Sequence, residues 1–329
     1  MNRRQFITLL GGAAATWPLA ARAQQSGKVA RIGFLSGASP NTAGYPNRVA
    51  ALRSGLRDHG YVEGANLVIE YRWAEENYAR LPALAADLVR SNVDVIVTHG
   101  TPAALAAKRA TATVPIVMAI IGDPTATGVV TSVARPGGNI TGSSYFSPEV
   151  NAKRIELLKE AMPQLTRTAV LLNPDNPMQM GAELQAMQTV AQSLKLQLKP
   201  FPVRALNEFE GVFDDIQREH VEAVLVGEDA IFLANIAAIA AFANKRRLLS
   251  IGTRELVQAG GIISYGIDFP AAFRRAAVFI DKILKGSKPG DIPIEQATKF
   301  EFVLNLRAAK TLGFEVPTPI LLRADEVIE

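Results

Sequence analysis

Small polar and acidic residues gather wherever an apolar run of this chain stops. Ser36-Gly37-Ala38-Ser39 follows the run 29–35, Thr98-His99-Gly100-Thr101 follows 93–97, and Gly122-Asp123-Pro124 follows 115–121. In the second half, Asn173 follows 169–172, Gly227-Glu228-Asp229 follows 223–226, and Gly252-Thr253 follows 248–251. A βα junction of this kind ends in a helix N-terminus, whose unsatisfied N–H groups and partial positive charge attract a carboxylate. Hydroxyls beside those N–H groups add donors, while Asp123, Glu228 and Asp229 suit an ammonium or another cation. The candidate ligand-binding residues are therefore Ser36, Ser39, Gly100, Thr101 and Asp123, with Asn173, Glu228, Asp229 and Thr253 from the second half. Each also has a purely structural reading: Ser and Thr cap helices, Asp before Pro forms turns, and adjacent acids cap the next helix. His99 reads as a satisfied loop histidine rather than a contact. Trp73, just past the run 67–71, is placed either to stack on a planar ligand or to pack against the next helix.

Other chemistries are excluded by composition. The chain has no cysteine and three histidines, His59, His99 and His220. That rules out disulfides, thiolate metal sites, a cysteine nucleophile and a lipid-modified N-terminal cysteine, and makes a histidine-rich metal centre improbable. Neither a G-x-G-x-x-G after a strand nor a GKS/GKT loop, H-E-x-x-H or G-x-S-x-G occurs, so no cofactor is expected. The formal charge of +4 includes Arg3, Arg4 and Arg22, and falls to +1 without them. No long Lys/Arg run remains, and nucleic acid is not an expected partner.

Those three arginines belong to an address. Residues 1–23 combine a basic start, an apolar stretch broken by Gly11, Gly12 and Pro18, and a small-x-small cleavage pattern at Ala21-Arg22-Ala23. The stretch is short for a membrane span, which needs ~20 apolar residues. Arg3-Arg4-Gln5-Phe6-Ile7 resembles a twin-arginine export signal, with Asn2 and Thr8 departing from its strongest form. The expected location is the periplasm, with no lipid anchor.

The elements that must position the candidates alternate as β and α. Runs rich in Val and Ile predict strands at 29–35, 67–71, 93–97, 115–121, 169–172, 196–201, 223–226, 248–251 and 262–265, with a short strand from Ile140 and a last one at 302–304. Between them lie helical faces such as Val49, Leu52 and Leu56, or Leu184, Met187, Val190 and Leu194. Residues 101–112 predict a helix with Thr101 as N-cap and Pro102 in its first turn. A single apolar helix is predicted over 231–242. Alternation with short loops implies an α/β chain of doubly wound parallel sheets, and ten or so strands imply two of them. The Gly-, Pro- and Lys-rich residues 285–293 form the best linker.

An ordered series of motifs adds a resemblance. It runs through Arg31-Ile32-Gly33-Phe34-Leu35, His59-Gly60-Tyr61-Val62-Glu63-Gly64, Thr101-Pro102-Ala103-Ala104, Val114-Pro115-Ile116-Val117 and Gly122-Asp123-Pro124. It continues with Arg135-Pro136-Gly137-Gly138-Asn139-Ile140-Thr141-Gly142, Leu171-Leu172-Asn173-Pro174, Lys299-Phe300-Glu301 and Ala308-Ala309-Lys310-Thr311-Leu312-Gly313. The chain resembles the solute-binding proteins of ABC importers, in the branch with tryptophan- and tyrosine-binding members. The resemblance implies the type I periplasmic binding architecture, two lobes joined by a three-crossing hinge. On that analogy lobe one is 28–142 plus 266–290, and lobe two is 143–265 plus 291–329. It also implies a non-catalytic, monomeric receptor that traps a small polar solute, such as an amino acid or a related compound, and delivers it to an ABC permease. Family members often read Pro-Thr-Asp-Asn where this chain has Gly227-Glu228-Asp229-Ala230, so the amino-acid ligand does not carry over directly. An exported α/β enzyme, or a ligand-sensing partner of a membrane receptor, are the alternatives that remain open.

Overall fold

A computed structural model describes residues 29–329. The export signal expected at residues 1–23 lies outside the described residues. In chain order the strands are β1 Ala30–Ser36, β2 Leu67–Trp73, β3 Val95–His99, β4 Ile116–Ile121, β5 Ile140–Ser144, β6 Arg167–Leu172, β7 Gln197–Pro202, β8 Ala223–Val226, β9 Leu249–Gly252, β10 Ile263–Ile267, β11 Glu295–Gln296, β12 Phe300–Asn305 and β13 Glu326–Ile328. They form two sheets, ordered β11-β5-β4-β3-β1-β2 and β13-β12-β10-β9-β8-β6-β7. All pairs are parallel except β10 with β12. Strands β3 and β4 are buried along their whole length, as expected for continuous Val/Ile runs covered on both faces.

The principal helices are α1 Tyr45–Asp58, α2 Leu81–Arg90, α3 Thr101–Ala110, α4 Ser147–Ala161, α5 Leu184–Ser193, α6 Phe209–Arg218, α7 Ala230–Ala234, α8 Ile236–Lys245, α9 Arg254–Gln258 and α10 Phe269–Leu284. On the first sheet, Leu52 and Leu56 of α1 meet Phe273, Ala276 and Ile280 of α10 in one core, while α2 and α3 fill the other face. Gly55 allows the close crossing of α1 and α10: a Cβ there would stand 2.5 Å from the Arg274 carbonyl. On the second sheet, α4 and α5 cover one face, and α6 and α8 the other.

The chain moves between the sheets after β5, after β10 and after β11. Ser143 and Ser144 complete β5, and β11 pairs with them, so the first lobe keeps residues that boundaries at 142 and 290 would give to the second. The segment 285–293 is not a free linker. Gly290 accepts from the Gly137 amide, and the Ile292 carbonyl accepts from Thr141 Oγ1 at 2.8 Å, which ties the segment to the first sheet. Two further departures are local. The apolar run 231–242 is broken at Asn235 into α7 and α8, and the short strands β11 and β13 carry too few apolar residues to be read from pattern. No described helix is long and apolar enough to cross a membrane.

Candidate functional site

Both sheets are doubly wound, with order reversing between β1 and β3 and between β6 and β8. Ligands of such sheets bind beyond the carboxyl ends of the strands at that reversal. Here the two reversals face one another across a narrow cavity with ≈ 40 Å³ of free room.

The first-lobe wall is built from strand ends. His99 closes β3, and Gly100 follows with φ +80°, a left-handed conformation that starts α3 without a side-chain cap. Thr101 is thus the first helical residue and not the cap, and it lines the cavity with Gly100 and Ala103. Tyr45, from the start of α1, accepts from Ser36 Oγ at 3.1 Å and donates to His99 Nδ1 at 2.6 Å. His99 Nε2 lies 3.4 Å from Glu228 Oε1 across the cleft. Burial pushes the His99 imidazole down, outweighing Glu228, so the ring is neutral. The tautomer that fits both neighbours carries its proton on Nε2.

The second-lobe wall is acidic. Glu228 and Asp229 follow β8, Glu183 precedes α5, and Asn176 and Met178 come from the loop after β6. Asp229 caps α7: it accepts from the Ile231 amide at 3.2 Å, and also from Asn173 Nδ2 and Asn176 Nδ2, each at 2.9 Å. Burial pushes its carboxyl up against these donors. Glu228 faces Arg48 of α1, with Arg48 Nη1 2.6 Å from Glu228 Oε1 and Nη2 2.8 Å from Glu255 Oε1. The Arg48 side chain is fully buried and stacks over Phe269 at 4.1 Å. Burial pushes Glu228 up, yet Arg48 and His99 together hold it below the ordinary glutamate range.

The remaining candidates fall into place around this cavity rather than on it. Ser36 lies behind Tyr45, and Asn173 behind Asp229. Ser39 is turned away and binds Glu76 and Thr42. Asp123 accepts from the Thr125 and Ala126 amides at 2.8 and 3.0 Å, the turn-forming role of an Asp before Pro. Thr253 is buried at the N-terminus of α9, outside the cavity lining. Trp73 stacks on Tyr71 and meets Phe34 and Tyr45, so it belongs to the aromatic packing and not to the lining. The cavity joins Gly100, Thr101, Glu228 and Asp229 from the candidate set.

Sequence reasoning missed Tyr45, Arg48, Tyr78, Tyr145 and Glu183. A signal existed for two of them. Arg48 stands four and eight residues before Leu52 and Leu56, and Glu183 four before Met187, so each is a charge on an apolar stripe. His99 is satisfied, as the sequence suggests, but it stands in the cavity wall.

Two doubly wound lobes joined by three crossings, with a cavity between their strand ends, define a type I periplasmic binding architecture. The chain matches the ABC transporter substrate binding protein family over residues 40–328, and it belongs to that family. A tyrosine-binding protein of Clostridioides difficile (strain R20291) is 25% identical over 262 residues, covering 79% of this chain and 74% of that one. Among solved structures, a conserved domain protein of Vibrio cholerae has a TM-score of 0.85 at 27% identity, covering 91% of this chain and 100% of its own. An ABC domain from Streptococcus pneumonia in complex with L-Trp has a TM-score of 0.82 at 25% identity, with 91% and 99% covered.

Proposed function

We propose that this substrate-binding protein works in the periplasm as a non-catalytic, monomeric receptor that closes over an amino acid or related zwitterion and hands it to an ABC permease. One observation carries the reading: a single cavity whose walls come from both lobes, donor-rich on one side and acidic on the other. The start of α3, with the Thr101 hydroxyl and free backbone N–H groups, suits a carboxylate. The acidic wall opposite suits an ammonium group, and Tyr45, Tyr78 and Tyr145 offer apolar ring surface between them. Relatives described as tyrosine-binding or as bound to L-Trp support an amino acid as the ligand class. A ligand that touches both walls binds tightly only to the closed form, which is how hinged receptors work.

The test is thermal unfolding of the mature protein against the proteinogenic amino acids. A true ligand at a hundredfold excess over Kd adds about 2.7 kcal/mol of stability. Thr101→Val should keep the unliganded midpoint and lose most of that gain. Unchanged stabilisation in this variant would remove α3 from the site. Export is checked separately by fractionation, and replacement of Arg3 and Arg4 by Lys should retain the precursor if the twin-arginine route is used.

A further inference from the structure

Three carboxylates line the cavity, and their surroundings differ. Glu228 is compensated by the Arg48 guanidinium and by His99. Asp229 receives three hydrogen bonds from its own lobe. Glu183 receives one, from Asn151 Nδ2 at 3.0 Å, and no cation stands within ion-pairing distance among the described residues. Its side chain is nevertheless buried, the residue being 4% exposed.

Beside it, Ser147 is fully buried and its Oγ has no hydrogen-bond partner. That hydroxyl lies directly behind the cavity wall: a Cβ on Gly122, a lining residue, would stand 2.6 Å from it. Leaving a buried hydroxyl and a buried carboxylate so poorly matched costs free energy that a bound donor would recover. The nearest guanidinium, Arg154, is engaged elsewhere, with Nε on the Tyr265 carbonyl at 2.7 Å and Nη1 on Asn151 Oδ1 at 2.8 Å. Arg154 thereby orients Asn151 toward Glu183 without neutralising it directly.

We propose that Glu183 and Ser147 form the subsite for a protonated amine of the ligand, and that Glu228 and Asp229 serve the wall itself. This rests on the cleft being the ligand site. The substrate class follows: a compound with a primary ammonium group that reaches Glu183 while its carboxylate lies at the start of α3. Glu183 also faces Tyr145, Arg154, Glu228 and Asp229, and burial pushes its carboxyl up to about 7 against the opposing charge of Arg154. Ammonium binding needs the carboxylate form, so affinity for an amine falls as pH drops below about 7.

The experiment uses the mature protein, freed of ligand by unfolding and refolding. Probes are the proteinogenic amino acids, each with a partner lacking the amine: 3-(4-hydroxyphenyl)propionate for L-tyrosine, indole-3-propionate for L-tryptophan. Expected is stabilisation by an amine-bearing probe and none by its partner. Glu183→Gln keeps the side-chain shape and should weaken that probe about ten- to hundredfold, the worth of a charged hydrogen bond, and flatten its pH dependence. Ser147→Ala should weaken it to a lesser degree. Equal binding of a probe and its amine-free partner, unchanged binding in Glu183→Gln, or no stabilisation by any amine-bearing probe overturns the proposal. Leu233→Trp, which fills the cavity, separates the two ideas. If Leu233→Trp abolishes binding while Glu183→Gln does not weaken it, the amine subsite fails and the cleft stands. If both bind like the parent, the cleft reading itself fails.

Discussion

Removing Arg48 should open this molecule without unfolding it. The guanidinium belongs to α1 of the first lobe, and its two partners, Glu228 and Glu255, belong to the second. All three are sheltered, with side-chain exposures of 0%, 8% and 11%. Arg48→Met keeps the apolar stem against Phe269 but leaves two carboxylates facing each other in a low-dielectric seam. Losing one partner of a buried pair costs about 3–5 kcal/mol. The cost is specific to the closed arrangement, because water resolvates both carboxylates once the lobes part. The closed-to-open ratio without ligand should therefore fall by a factor of about 10²–10⁴. The chain has no cysteine, so single cysteines placed at exposed Arg109 and Gln188 can be spin-labelled uniquely, one on each lobe. Pulsed dipolar spectroscopy should show a longer and broader interlobe distance in Arg48→Met than in the parent. Adding Glu228→Gln and Glu255→Gln to that variant should restore much of the closed form, since the uncompensated charges are then gone. A distance distribution in Arg48→Met identical to the parent's would refute the reasoning, because the ion pairs would then contribute nothing to closure.

Three more outcomes follow from buried groups and backbone geometry. Glu183 has its carboxyl raised from 4.5 to about 7, so the folded chain binds a proton that the unfolded chain releases first. Its contribution to stability without ligand is greatest below about pH 4.5 and is lost as pH rises through about 7, by about 3 kcal/mol in all. Glu183→Gln should remove that slope from denaturant melts taken between pH 5 and 8, to be read at about 1.4 kcal/mol per pH unit. Asp229→Ala strips the cap from α7 and leaves the Asn173 and Asn176 amides without their acceptor; chemical denaturation should show a loss of about 2 kcal/mol or more. Gly142→Ala meets two obstacles, φ +136° and a Cβ 2.1 Å from the Met118 carbonyl oxygen, so its melting midpoint should fall well below that of the parent, by more than the usual ~1 kcal/mol of a point change.

Sequence by itself determined the elements and the sites where polar residues must emerge. Val/Ile runs bounded by Gly, Pro and small polar residues placed β1, β3, β4, β6 and β8 within a residue or two, because burial on both faces demands continuous apolar side chains. Strand ends in a parallel sheet must then carry the loops, so Gly100, Thr101, Glu228 and Asp229 were legible as cavity residues. Tertiary structure alone decided what each of those groups faces. Arg48 and Glu228 are 180 residues apart in sequence, and nothing local relates them. Their meeting depends on how three crossings set one lobe against the other, which also turned Glu228 from a free anion into half of an ion pair. Asp123, Ser39 and Trp73 stand outside the cavity lining for a different reason, since each is engaged by partners within the first lobe. Local periodicity fixes which face of an element is buried, but whether that face meets a partner, a turn or an empty cavity is a property of the assembled lobes.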